Sequence, residues 1–247
     1  IVKLRLNSDP STEGVYHELN VKYQDSDENS DQSYVGLADA DFRRDAHVRY
    51  GLSAYDNMDN SHDTISFNYI ADFGNLELST TMYENNFARN WFKVDKIDNN
   101  KVYGHGNGIN NIIASANAGE ATASAILNGT NAQAVQIKLK NNNRVYTSEG
   151  TDLKLQFNTD KQSLTIGYRD TEDSEDRFQV YATTDWMNGK LGALTVGSNP
   201  GYSSNNRLTT AEATAFYINE EINFGALTVN VGFRSEEWKI SQDRYVD

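Results

Sequence analysis

Seven arginines stand out in this chain: Arg43, Arg44, Arg49, Arg89, Arg144, Arg177 and Arg207. They are set in an acidic background, with 22 Lys and Arg against 35 Asp and Glu and a formal net charge of -13 over 247 residues. A guanidinium stays charged and offers a planar fork that grips a carboxylate or phosphate through two hydrogen bonds. The chemistry these residues could do is anion binding. Each could equally pair with a neighbouring Asp or Glu.

Other chemistry finds less support. "DSDENSD" (25–31) places Asp25, Asp27, Asn29 and Asp31 at alternate positions, as a calcium loop does. Ser30 and Gly36 stand where that loop needs glycine and a bidentate glutamate, so a solvated acidic loop that binds divalent cations weakly is expected. "GHGNG" (104–108) lacks the βαβ setting of a dinucleotide site and is expected to be a loop tip. His17, His47, His62 and His105 show no ligand spacing, and no Ser-His-Asp elbow or zinc motif is present. No catalytic residue, metal ligand or cofactor site is therefore expected, and an enzyme is not. There is no cysteine, which excludes disulfides. The negative charge argues against a nucleic-acid partner.

The elements that must position the arginines read as paired strands. Leu153, Leu155 and Phe157 alternate with Lys154 and Gln156; after a polar turn Leu164, Ile166 and Tyr168 resume the apolar face. The same plan recurs at Val2–Tyr23, at Ile65–Met82 across "ADFG", and at Phe216–Phe233 across "NFG". Period two is the signal of a strand with one apolar face. Four hairpins are predicted, over 1–24, 63–85, 151–169 and 211–239. Asn20, Lys22, Lys154, Gln156 and Asn230 should share the polar face. Short turns fall at one end of the sheet. Long connections, predicted at 25–62, 86–150 and 170–210, fall at the other end, with all seven arginines in or beside them, and 109–127 is expected to hold one or two short helices.

This asymmetry predicts an all-β, antiparallel up-and-down transmembrane β-barrel, partial at about eight strands, with long extracellular loops. Several strands reach the ten or so residues needed to cross a bilayer at a tilt. A soluble sandwich or jelly roll with ornate loops is the competing architecture.

The stretches that carry the arginines resemble a known family. "YHELNVKYQDSDENSDQSYVGLADADFRRDAHVRY", "YENNFARNWFKVDK", "NNNRVYTSEGTDLKLQF", "YRDTEDSEDRFQ" and "NRLTTAEATAFYINEEINFGALTVNVGFRSEEWKISQDRY" are similar, in the same order, to segments of TonB-dependent outer-membrane receptors of the ferric dicitrate (siderophore) type. The resemblance implies a cell-outer-membrane receptor that imports an iron chelate, ferric citrate first among them, with energy relayed by TonB. Its partners would be the ferric chelate, outer-membrane lipid and TonB. TonB would act through a plug domain, and the expectation is that 1–247 is barrel wall alone, with plug and terminal strands outside it. Arg49, Arg89, Arg144 and Arg177 lie inside the matching segments and are the candidate ligand contacts. Within the family another siderophore or an oligosaccharide is the alternative cargo. Outside it the alternative is a soluble secreted binding protein or adhesin.

Overall fold

A computed structural model describes residues 1–9, 14–97, 108–197 and 205–245. The strands are β1 (Val2–Asn7), β2 (Tyr16–Ser30), β3 (Asn57–Asp72), β4 (Leu76–Ile97), β5 (Val135–Asn158), β6 (Gln162–Met187), β7 (Lys190–Leu191), β8 (Thr195–Val196), β9 (Arg207–Asn223) and β10 (Thr228–Arg244). They form one antiparallel sheet in the order β1-β2-β3-β4-β5-β6-β9-β10, with the short β7 and β8 attached to β6. Sequential antiparallel neighbours make an up-and-down sheet, the architecture of a partial β-barrel wall. Most of the "GHGNG" stretch, including His105, lies outside the described residues.

The four hairpins are where the alternation put them. Two of their turns share one chemistry. In Asp72-Phe73-Gly74 the aspartate side chain accepts the Gly74 amide at 2.7 Å, and in Asn223-Phe224-Gly225 the asparagine accepts the Gly225 amide at 2.7 Å. The glycines stand at φ +89° and +87°, a region that disfavours any side chain. The acceptor and the glycine together close each turn in very few residues.

The strands run much further than apolar alternation indicates. β4, β5 and β6 are 22, 24 and 26 residues long. The connections at the far end are therefore shorter than the predicted 25–62, 86–150 and 170–210, which is a correction to their bounds. The acidic run from Asp170 to Asp176 is strand, paired residue for residue with Val145–Thr151 of β5. Likewise Asp25–Ser30 pairs with Met58–Asp63, so Asp25, Asp27 and Asn29 of the calcium-like spacing alternate along a strand, and only Asp31 lies beyond it. Among the described residues no group of three His, Cys, Asp or Glu could hold a metal ion. The physical reason for the misreading is simple. Where neither face meets lipid the apolar period disappears, but the main-chain ladder continues.

One face of the lower sheet is apolar and open. Register aligns Leu155, Ile166, Ile218 and Phe233 in one line; Leu155, Ile218 and Phe233 are exposed and Ile166 is half-buried. A soluble sheet would cover such a face, whereas a barrel wall presents it to lipid. The belt ends abruptly. Two register rows beyond Leu153 come Glu84, Glu149, Glu172 and Glu212, side by side on adjacent strands. Lys154, Gln156, Asn20, Lys22 and Asn230 fall on the opposite, polar face by strand alternation.

Two helices do occupy the predicted 109–127 region: α2 (Ile109–Asn117) and α3 (Ala121–Asn128). Gly119 separates them at φ +86°. They pack on the upper end of the belt face, where Ile112, Ile126 and Leu127 bury Val94, Ile97, Ile137, Leu139 and Trp186. The Trp186 indole N–H donates to the Ile126 carbonyl at 2.9 Å. This cluster is the protein's compact core, and it holds the tops of β4, β5 and β6.

Candidate anion-binding site

The polar face above the belt carries a row of arginines. Arg89 of β4 is the register partner of Arg144 of β5, which is the partner of Arg177 of β6. Arg177 is in turn the partner of Arg207 of β9, and Arg207 of Arg244 of β10. Five guanidiniums therefore stand on five adjacent strands at one level. Beyond Arg89 the row continues through Asn60 to Glu28. Neighbouring strands are about 4.8 Å apart, so Arg89 to Arg207 spans roughly 14 Å.

Like charges placed directly opposite across a sheet are destabilising, and this row has few internal counter-charges. Arg144 donates from Nη1 to the Glu175 carboxylate at 2.5 Å. That carboxylate also accepts the Tyr146 hydroxyl at 3.4 Å. Arg177 donates to the Gln179 side-chain oxygen at 3.2 Å. Meanwhile the Nε atoms of Arg89, Arg177 and Arg207 and the side-chain oxygen of Asn60 are buried with no hydrogen-bond partner. These residues lie well above the apolar belt. Burial pushes the Arg177 guanidinium below its usual pKa, and the adjacent Arg144 and Arg207 add to that, while Glu175 opposes it.

Rows on either side shape the site. On the belt side are His62, Phe87 and Tyr146, with ring centroids 6.1 Å and 5.9 Å apart. On the far side are Trp91, Asn142 and Gln179; the Gln179 amide donates to the Asn142 oxygen at 2.5 Å, and Asn206 closes on the Gln179 backbone. One row further stands Lys93, wholly buried, its ammonium 3.0 Å from the centre of the Tyr34 ring and 3.4 Å from Trp91. Burial, helped by Lys140, pushes it down to about 7. Tyr34 brings the 31–56 connection across this part of the polar face, and Trp91 fixes it by donating to the Gln32 carbonyl at 3.0 Å.

Three of the four candidate arginines, Arg89, Arg144 and Arg177, are thus brought together, and they come from strands rather than loops. Arg49 is not brought to them. It binds Asp31 at 3.1 Å, the Ser53 hydroxyl at 3.2 Å and the carbonyls of Ser53 and Asp56, which makes it a tie within its own connection. Arg43 and Arg44 sit on helix α1 (Asp39–Arg44), where Arg44 pairs with Asp41 at 2.8 Å. Arg244 was not singled out by residue type, and Arg207 was not ranked with the contacts. A usable signal existed. Arg144 and Arg177 are equidistant from the turn that joins Asn158 to Ser163, and Arg207 and Arg244 from the one that joins Asn223 to Thr228, so each pair must meet across its hairpin.

Chemically the arrangement offers several fixed cations, an aromatic floor and amide side chains. It can hold an extended anion with several negative groups.

No family model matches the chain, and no characterised protein sequence matches it. Among solved structures, the ferric citrate transporter FecA in its unliganded form is similar at 16% identity and TM-score 0.56, over 98% of this chain and 30% of that one. BauA, the ferric preacinetobactin receptor from Acinetobacter baumannii, aligns at 7% identity and TM-score 0.48, over 97% of this chain and 34% of that one. The chain thus spans about a third of the length of either structure. At such identity the likeness to the ferric citrate transporter is one of fold: this sheet is built as part of that barrel's wall is built.

Proposed function

We propose that this chain is part of the wall of an outer-membrane, TonB-dependent receptor that binds and imports an anionic ferric chelate, with ferric citrate the first cargo to test. The observation that carries the reading is the arginine row: five guanidiniums at one level on the polar face, three of them with buried, unpartnered donors. The exposed apolar belt on the other face supports a membrane setting, and the fold likeness to a ferric citrate transporter supports the cargo class. The net negative charge is no obstacle at contact distance. Fields from the acidic surface are screened over about 8 Å in physiological salt, so a ligand at the row is governed by the arginines. The reading is one of binding and transport rather than catalysis.

The test is uptake of radioactive iron by iron-starved cells with and without the intact receptor. Uptake from ferric citrate should depend on the receptor, and uptake from a neutral ferric hydroxamate should not. Receptor-dependent uptake from the neutral chelate alone would overturn the anionic cargo. Loss of neither would overturn the transport reading.

A further inference from the structure

One carboxylate stands beside the arginine row. On the polar face of β4, β5, β6, β9 and β10, Glu175 is the only acidic residue in the row or in the two rows flanking it, among the described residues. It stands two residues before Arg177 on the same face and one register row from Arg144. Its contacts are the Arg144 guanidinium at 2.5 Å and the Tyr146 hydroxyl at 3.4 Å. Both partners of the ion pair are largely covered, with side chains 21% and 24% exposed. On either side the guanidiniums keep unpartnered Nε atoms. The one internal anion therefore sits at the centre of the stretch from Arg89 to Arg207, where an extended ligand would place its middle charge.

We infer that Glu175 is an internal counter-anion that limits the affinity of the row for its ligand. This deepens the anion-binding reading and rests on it. With the site empty, Glu175 holds Arg144 in place and neutralises the centre of the row. A ligand that spans the row must share or displace it, and meets its charge. The more negative groups the ligand lays along the row, the larger this opposition becomes, because more of its charge lies beside Glu175. The consequence is a site open to polyanions yet weak enough to let them leave, as a transporter requires.

The test is calorimetric binding of acetate, glutarate and propane-1,2,3-tricarboxylate to the full-length receptor purified in detergent, as wild type, Glu175→Gln and Glu172→Gln. Glutamine keeps the shape and can still accept from Tyr146 and Arg144. Glu172→Gln makes the same change of charge on the opposite face. The expected result is a gain in affinity for the tricarboxylate of roughly tenfold or more in Glu175→Gln, the size of one charge-assisted contact. The gain should shrink from three carboxylates to one, and Glu172→Gln should stay within about twofold of wild type. Unchanged or weakened tricarboxylate binding in a folded Glu175→Gln protein would make Glu175 a structural ion-pair partner and overturn the inference. Equal gains in both variants would also overturn it, as a general charge effect. If wild type and both variants bind none of the three anions, the arginine row is not an anion site and the reading beneath the inference fails with it.

Discussion

The same four strands carry two like-charge rows, one on each face. Glu84, Glu149, Glu172 and Glu212 stand together on the belt face; Arg89, Arg144, Arg177 and Arg207 stand together on the polar face, five residues along each strand from them. Both rows place like charges on adjacent strands, yet their surroundings differ. The glutamates are all exposed, so water and salt screen their repulsion. The arginines are half-buried, and three have donors with no partner. An exposed row costs little and marks where the apolar belt stops. A half-buried row with unmet hydrogen bonds is costly, because each unsatisfied buried group costs about 1–3 kcal/mol, and an arriving anion removes that cost. On the proposed reading the ligand belongs on the arginine face.

The largest expected effect breaks this comparison directly. Replacing Arg144 and Arg177 together by glutamine should weaken binding of the ferric chelate by roughly a hundredfold or more, since charge-assisted hydrogen bonds contribute about 1.5–3 kcal/mol each. Replacing Glu149 and Glu172 by glutamine should leave it within about twofold. Equal losses from both pairs, measured by titration calorimetry on folded protein, would erase the distinction between the faces.

A smaller effect sharpens the assignment of the belt. Leu155→Arg places a charge within this apolar line and should cost about 2–4 kcal/mol if that line lies near the bilayer midplane. Gln156→Arg, one residue on and on the polar face, should cost little. Refolding into lipid bilayers monitored by gel mobility measures both, and equal tolerance would contradict the lipid-facing assignment.

Much of this was legible in the sequence wherever one face had to be apolar. The four hairpins, the turns with Asp or Asn before Phe-Gly, and the helical pair around Gly119 all follow from residue pattern. What escaped was the upper half of β4, β5 and β6. There residues such as Asp170, Glu172 and Asp176 alternate with no apolar partner face, so period two has nothing to show, and strand reads as loop. The site suffered the same way. Arg89, Arg144 and Arg177 were identifiable by type and segment, but their alignment exists only once the strands are extended through them. Arg49, in an equally suggestive stretch, proves to be tied to Asp31, Ser53 and Asp56.

The smallest expected effect lies beside that tie. Asp56 is buried, accepting the Val94 amide at 2.9 Å and the Ser33 hydroxyl at 2.6 Å, and burial pushes it up to about 6. A carboxyl whose folded pKa exceeds its unfolded value of about 3.9 binds the proton more tightly when folded. Its contribution to stability is therefore fullest below about pH 4 and is lost as pH rises toward 6. Hydrogen exchange at the Val94 amide should show the top of β4 becoming less protected across that range, relative to Asp56→Asn, in which this dependence should flatten. An identical pH profile in the two proteins would contradict the assignment.

The arginine row is tested most directly by equilibrium binding of ferric citrate to the full-length purified receptor, at low and at high salt, beside a neutral ferric hydroxamate of similar size. Selective binding of the citrate chelate is expected, weakening as salt rises and falling at least tenfold in Arg177→Gln. Equal binding of the neutral chelate, or citrate binding indifferent to both salt and Arg177, would contradict the account.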